Sequence, residues 1–325
     1  MSSSTVSYMT WNAGRLIKKV IKNIQELRNI EKFLSIKADF HCFQEMNPDL
    51  NYDACGQIGY ECFKVDYNFK KGVPASSIVT LVNLSRFEVT GRHSESQDVM
   101  IVEDPKIPHQ KFTRFAMVIA KDKTTGDIFN IVNVHLKGGP AGYNTKKQSI
   151  QRLLDFINQN AKEGYIILGG DFNINFKEQR KGDYGYNLFI ENGYIEDCDD
   201  PTLKRKERSG ILPTVPNVKY DYCFYKGIGI KLIKCEIITP VKPRSDKFDH
   251  YPKINTFEIE SKQIDELEND PEFQELLNVI EQTPKPEDTE QPESINELSI
   301  EQRVISQSGG EFLLKYHKYK SKYHK

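Results

Sequence analysis

Four short pieces of this chain carry groups suited to chemistry: Thr10-Trp11-Asn12, Gln44-Glu45, Gly170-Asp171-Phe172-Asn173 and Asp249-His250. They lie far apart, and each sits at the end of an apolar run that reads as a strand. Strand ends gathered on one edge of a sheet pair are where an α/β protein builds a site. Oxygen donors joined by a histidine point to Mg²⁺-assisted attack on a phosphate ester.

Cleavage of a phosphodiester needs a cation on a phosphate oxygen, an activated nucleophile in line, and donors for the charge that grows on phosphorus. Glu45, following a strand, is a natural Mg²⁺ ligand. One or two carboxylates suffice, because Mg²⁺ keeps several of its waters. Asn12 can orient a phosphate oxygen or meet the metal through its carbonyl. Asp171 and Asn173 are expected side by side on one edge, because strand residues at i and i+2 face the same way. Asp171 would align or deprotonate water while Asn173 donates to phosphate, and Gly169-Gly170 would let backbone approach the ligand. His250 is the candidate cationic donor or base, its tautomer fixed by a carboxylate from Asp221 or Asp249. His135 offers a second donor.

The elements that must position these groups alternate. Strands are predicted over Val6–Asn12, Asp39–Glu45, Ser76–Asn83, Phe87–Gly91, Arg114–Lys121, Phe129–His135, Tyr165–Gly169, Asp221–Tyr225, Lys231–Thr239 and Asn255–Ile259. Helices are predicted over Lys18–Ile36, Thr145–Asn158 and Tyr184–Asn192, the first from the spacing of Val20, Ile21, Ile24, Leu27, Ile30, Phe33 and Leu34. Arg114–Lys121 and Phe129–His135 flank the turn residues Thr124-Thr125-Gly126-Asp127, which implies antiparallel pairing. So many local hairpins do not suit a doubly wound nucleotide fold. An α/β chain of the α+β type, with two mixed sheets packed face to face and helices outside, accommodates them.

Composition sets further bounds. Of 325 residues, 38% are hydrophobic, which suffices for a core, and no apolar run approaches the ~20 residues of a transmembrane helix. Met1-Ser2-Ser3-Ser4-Thr5 lacks the basic and apolar regions of a secretory leader, so an intracellular, unsecreted protein without a membrane role is expected. Six cysteines without a C-x-x-C pair predict reduced thiols rather than a zinc site. Net charge is −1 but unevenly spread. Residues 1–260 hold 37 basic and 32 acidic side chains, residues 261–311 hold 3 and 14, and residues 312–325 hold 5 and none. This division predicts a folded catalytic body over 1–260, an acidic, partly disordered linker over 261–311 with a helix near Asp265–Glu281, and a basic Tyr/Lys/His tail over 312–325.

In motif order the chain resembles the endonuclease/exonuclease/phosphatase superfamily of DNase-like, metal-dependent phosphoesterases. The matching pieces are Thr-Trp-Asn12, Phe-Gln-Glu45, Asn-Val-His135-Leu, Gly-Asp171-Phe-Asn173, Tyr-Asp221-Tyr and Phe-Asp249-His250. The likeness spans about residues 5–260. It implies a four-layer α/β sandwich and use of Mg²⁺ or Mn²⁺. It also implies metal binding at Glu45, assisted by Asn12 and Asp249, with catalysis by Asp171, Asn173, His135 and a His250–Asp221 pair. One departure is Phe248, where the family usually has Ser before the final Asp-His.

The resemblance leaves the substrate open. A monomeric nuclease or end-processing phosphodiesterase on nucleic acid is the favoured expectation. A phosphatase or phosphodiesterase of inositol phosphates or lipids, and a catalytically weak binding module, are the alternatives. Lys204-Arg205-Lys206-Glu207-Arg208, Lys137-Gly138-Gly139-Pro140 and Lys146-Lys147 are candidates to track an anionic substrate, unless the first is simply a solvated loop. The tail, with Tyr316, Tyr319 and Tyr323 among lysines, suits contact with nucleic acid or an anionic surface. It resembles tails of giant DNA virus proteins, which would place the enzyme in host cytoplasm or a virion.

Overall fold

A computed structural model of the chain describes residues 3–13, 37–46, 54–70, 73–99, 111–136, 143–176, 184–202, 218–238 and 250–260. By internal packing the chain divides into Met1–Glu260 and Ser261–Lys325, and all described residues fall in the first unit. The expected helices Lys18–Ile36 and Asp265–Glu281, the basic segments Lys137–Pro140 and Lys204–Arg208, the residues Phe248 and Asp249, and the acidic linker and basic tail all lie outside the described residues.

Apolar runs of strand length pair into two six-stranded sheets. The first has the order β11-β12-β1-β2-β4-β3, with β1 Ser3–Asn12, β2 Phe40–Met46, β3 Tyr60–Lys70, β4 Val73–Asn83, β11 Ile230–Ile237 and β12 Lys253–Glu260. The second has the order β5-β6-β7-β8-β10-β9, with β5 Phe87–Val99, β6 Lys111–Asp122, β7 Ile128–His135, β8 Tyr165–Asp171, β9 Ile195–Glu196 and β10 Asp221–Lys226. Among the described residues β1/β2 and β7/β8 pair in parallel and the other ladders are antiparallel, so both sheets are mixed. Short helices α1 (Ala54–Gln57) and α3 (Tyr186–Glu191) accompany the longer α2 (Tyr143–Asn160). Strand β3 was not foreseen: its polar-rich sequence Glu61-Cys62-Phe63-Lys64-Val65-Asp66 gains strand geometry by pairing along β4.

The sheets meet through one row of side chains per strand. Val6 and Tyr8 of β1, Phe40 and Cys42 of β2, and Phe257 and Ile259 of β12 pack against Phe129 and Ile131 of β7, Tyr165 and Ile167 of β8, and Cys223 and Tyr225 of β10. The opposite rows face outward. Val132 and Val134 of β7 meet Ile150, Leu153, Leu154 and Ile157 of α2, which forms the outer layer over the second sheet. Met9, Trp11, Phe43, Val79 and Leu81 form a separate apolar layer on the far side of the first. Among the described residues no helix is long and apolar enough to cross a membrane.

Two sequence expectations change here. Reduced thiols hold for Cys42, Cys55, Cys62 and Cys223, but Cys198 and Cys235 form a disulfide. The segment after β9 runs beside β11 and brings their Cα atoms to 6.1 Å, within bridging range. The glycine pair before Asp171 is required by packing, a role beyond the expected approach to a ligand. Gly170 has φ +148°, and an added Cβ would lie 1.9 Å from the carbonyl oxygen of Val134 on β7. At Gly169 it would lie 2.6 Å from the Tyr8 hydroxyl oxygen of the facing sheet.

Candidate active site

The inner rows that build the core turn polar at one end of the sandwich. Along β1 the row Val6, Tyr8, Thr10 leads to Asn12, and along β2 Phe40 and Cys42 lead to Gln44. On β7 Phe129 and Ile131 lead to Asn133 and His135, and on β8 Tyr165 and Ile167 lead through Gly169 to Asp171. Register aligns these ends. Asn12 lies opposite Gln44, and His135 opposite Asp171. Strand β10 runs antiparallel to β8, so its first residue, Asp221, is the one opposite Asp171. His250 just precedes β12, which runs antiparallel to β1, and so returns to the same edge.

A polar pair seals the two sheets beneath this edge. Gln44 donates through Nε2 to Asn133 Oδ1 at 2.7 Å, across the interface. The Asn133 amide donates in turn to the Val79 carbonyl at 3.0 Å. Both side chains are fully buried, and their direct contact links the two sheets, while Gln44 Oε1 has no hydrogen-bond partner among the described residues. Sequence reading named Gln44 only as a neighbour of Glu45 and gave Asn133 no role.

Asp171 is the centre of the site. Asn12 Nδ2 donates to its Oδ2 at 2.8 Å, Asn173 Nδ2 to the same oxygen at 2.9 Å, and the Asn173 backbone N–H to Oδ1 at 2.8 Å. These bonds hold the carboxylate in one orientation. Burial nevertheless pushes it up to about 7, with the neighbouring Asp221 adding to the rise and His250 opposing it. Asn173 reaches Asp171, though not by strand alternation as expected. Strand β8 ends at Asp171, and Asn173 turns back in a left-handed conformation with φ 50°. Its carbonyl oxygen accepts from Lys146 Nζ at 2.7 Å, and its amide also donates to the Leu136 carbonyl. Glu45, with φ 56°, is the other non-glycine residue of positive φ among the described residues. Both are site residues, and this conformation costs energy that surrounding contacts must supply.

The imidazoles occupy the two flanks. His250 Nδ1 lies 2.8 Å from Asp221 Oδ2, and its Nε2 lies 3.9 Å from Asp171 Oδ2. The choice left open between Asp221 and Asp249 is thereby met by Asp221. Trp11 Nε1 donates to the His250 carbonyl at 3.2 Å and steadies that backbone. His135 Nε2 lies 3.8 Å from Glu45 Oε1 and 3.7 Å from Asp171 Oδ2. Burial lowers His135 to about 4, against the pull of Glu45, so it is neutral at pH 7. Arg114 on β6, buried, pairs in register with His135.

Glu45, Asn12, His135, Asp171, Asn173, Asp221 and His250 are thus brought to one edge. The donor set is mostly oxygen, which fits a hard divalent cation such as Mg²⁺ or Mn²⁺. Asp171, Asp221 and His250 are close enough together to share an ion. Their near faces, however, are already bonded to Asn12, Asn173 and one another. Glu45, partly open to solvent, is the better placed carboxylate. Asn12 spends its amide nitrogen on Asp171, so a cation would meet its carbonyl oxygen. Asp221 Oδ1 is buried with no hydrogen-bond partner among the described residues, a site for a donor or cation to fill.

Two packed mixed sheets are the fold of the endonuclease/exonuclease/phosphatase proteins. The chain is similar to one from Bacteroides vulgatus, with a TM-score of 0.60 at 20% identity over 79% of this chain and 100% of that one. It is similar to TDP2 from D. rerio complexed with single strand DNA product, with a TM-score of 0.54 at 15% identity over 78% and 99%. It is similar also to a mannosyl-6-phosphatase from Bacteroides thetaiotaomicron, with a TM-score of 0.57 at 14% identity over 78% and 99%. No family model matches the sequence, and no curated protein matches it.

Proposed function

We propose that this chain is a metal-dependent phosphodiesterase that uses Mg²⁺ and hydrolyses phosphodiester bonds of nucleic acid through in-line attack by water. The observation that carries this reading is the convergence of Asp171 with the Asp221–His250 pair, 3.9 Å apart, beside Glu45 and His135. Asp171, held at both oxygens, is oriented to accept the proton of an attacking water. His250, with Asp221 on Nδ1, turns Nε2 toward the same space and donates there to a phosphate oxygen. Asn173 fixes Asp171 and lines the same space. Neutral His135 contributes a ring N–H without adding charge. Bound at Glu45 with Asn12, and with Asp249 as a further ligand, Mg²⁺ would neutralise charge on the phosphate oxygens.

Nucleic acid is supported by the DNA product held by one solved neighbour and by the basic excess of residues 1–260. A small phosphomonoester is the second reading, favoured by the equally similar fold of the mannosyl-6-phosphatase. Labelled single-stranded RNA, single- and double-stranded DNA, a 5′-phosphotyrosyl oligonucleotide and a sugar phosphate, each with Mg²⁺ or EDTA, separate the two. Cleavage of an oligonucleotide that needs Mg²⁺ and vanishes in Asp171→Ala supports the proposal. Release of phosphate from the sugar alone transfers it to the second reading. No turnover of any of them, without Mg²⁺ binding, leaves a binding module.

A further inference from the structure

Away from the catalytic edge, a set of buried charges surrounds Asp197. Lys219 Nζ lies 3.1 Å from its Oδ1 and Lys253 Nζ 2.5 Å from its Oδ2, and Asn255 Nδ2 donates to Oδ2 at 3.1 Å. The same two ammonium groups donate to the carbonyl of Cys198 at 2.6 and 3.3 Å. Cys198 is bridged to Cys235 on β11, which pairs with Asn255 of β12. Asp197 and the two cysteines are near enough to suggest a metal. Two lysines on the carboxylate and a bond between the sulfurs speak against a cation there.

What these anchors secure lies four residues further on. Thr202 is fully buried. Its Oγ1 accepts from the N–H groups of Tyr220 at 3.3 Å and Asp221 at 3.1 Å, and its carbonyl accepts from the N–H of Tyr251 at 2.8 Å. Asp221 opens β10 in the second sheet, whereas His250 and Tyr251 lead into β12 in the first. No ladder joins those two strands. The 2.8 Å contact between Asp221 and His250 therefore spans two sheets, and Thr202 ties their backbones together directly.

We propose, resting on the reading of Asp221–His250 as a catalytic pair, that Thr202 is the positioning residue of that pair and that the Cys198–Cys235 bridge sets its hold. Cys198 and Cys235 are partly exposed, and the intervening Asp199, Asp200 and Pro201 are exposed. A dithiol reductant reaches the bridge, passes two electrons and two protons to it, and becomes a disulfide itself, leaving two thiols. Residues 198–201 then lose their covalent tie to β11, and Thr202 keeps the two backbones less firmly in place. Thr202 is buried behind the pair, so the loss is expected in kcat more than in KM.

The test measures kcat and KM for bis(4-nitrophenyl) phosphate with Mg²⁺ in oxidised and dithiothreitol-treated protein, and in Thr202→Val, Thr202→Ser and Cys198→Ser/Cys235→Ser. Loss of a buried hydrogen bond of this kind predicts a kcat lowered about tenfold in Thr202→Val, with KM within about twofold. Thr202→Ser, which keeps the acceptor, restores kcat. Reduction lowers kcat of the wild type about threefold or more and leaves the double cysteine variant unchanged. A Thr202→Val enzyme of wild-type kcat, or a reduced wild type of unaltered kcat with both thiols free to label, overturns the proposal. Should Thr202→Val fail to fold, the reduction result decides it. Should oxidised wild type hydrolyse no phosphate ester, the functional reading fails on its own, and amide exchange then decides for Thr202. Faster exchange at Asp221 and Tyr251 after reduction supports its role, and unchanged protection overturns it.

Discussion

His250 and Asp221 come from different sheets, yet the imidazole Nδ1 and the carboxylate Oδ2 stand 2.8 Å apart in a buried contact. The pair fixes which ring nitrogen faces the Asp171 side. Replacing Asp221 by Asn keeps the shape and removes the charge that orients and stabilises a protonated ring. Single-turnover rates on the preferred substrate are expected to fall about 10²- to 10⁴-fold. A variant that stays within threefold of wild type removes the pair from the chemistry.

Asp171 is expected to titrate near 7 in the metal-free protein, since burial disfavours its charge. Its acid form cannot take a proton from water, so with Mg²⁺ bound activity is expected to rise with pH up to a midpoint below the metal-free one, because a nearby cation favours the carboxylate. A carbon-13 carboxyl titration beside the rate profile checks both. A metal-free midpoint near the ordinary 3.8 would show that His250 and the hydrogen bonds from Asn12 and Asn173 offset the burial of this group.

Chelation should abolish turnover, and Mg²⁺ or Mn²⁺ should restore it. Glu45→Gln is expected to weaken Mg²⁺ binding by about tenfold or more, because only one or two carboxylates hold this ion. Calorimetric titration measures the change. Equal affinity in the variant would move the metal to another carboxylate.

Asp122, buried at the end of β6, accepts from Arg86 Nε at 2.7 Å and from the N–H of Thr124 at 2.8 Å. Burial alone would raise it, but the Thr124 N–H and the Arg86 guanidinium hold its carboxyl below the ordinary 3.8. The sign follows: the unfolded chain takes up this proton first, so the contribution is intact above that value and is lost as pH falls through the depressed one. Asp122→Asn is expected to lose about 1.5–3 kcal/mol at pH 7 and to show a flatter acid limb in urea unfolding. Parallel acid limbs in the two proteins would place the titration elsewhere.

Gly170→Ala tests why a glycine precedes Asp171. The new Cβ would collide with the Val134 carbonyl, and φ +148° is unsuited to alanine. A loss of more than about 1 kcal/mol is expected, together with reduced activity as β8 shifts from β7. Full stability would show that the strands relax apart at no cost.

Much of this protein was legible in its sequence, because apolar runs of strand length are a local property. Such runs marked ten of the twelve described strands, and they placed Asn12, Asp171, Asp221 and His135 at or just beyond strand ends. Order along the chain then supported two packed mixed sheets. The helix over Thr145–Asn158 emerged as Tyr143–Asn160 from its apolar spacing. Polar β3 escaped notice because its pairing with β4, not its own pattern, makes it a strand.

Only the tertiary structure decided who touches whom. Hydrogen-bond partners depend on sheet order and register, which join residues more than a hundred positions apart and leave no periodic trace. Hence Asn12 was seen as a metal or phosphate group, while in the fold its amide holds Asp171. Asn173 reached the right neighbour by a left-handed turn rather than by alternation. Cys198 and Cys235, 37 residues apart, became a bridge only when β11 came alongside. Thr202, one threonine among many in the sequence, acquired its place because two sheets had to be held together at the point where His250 meets Asp221.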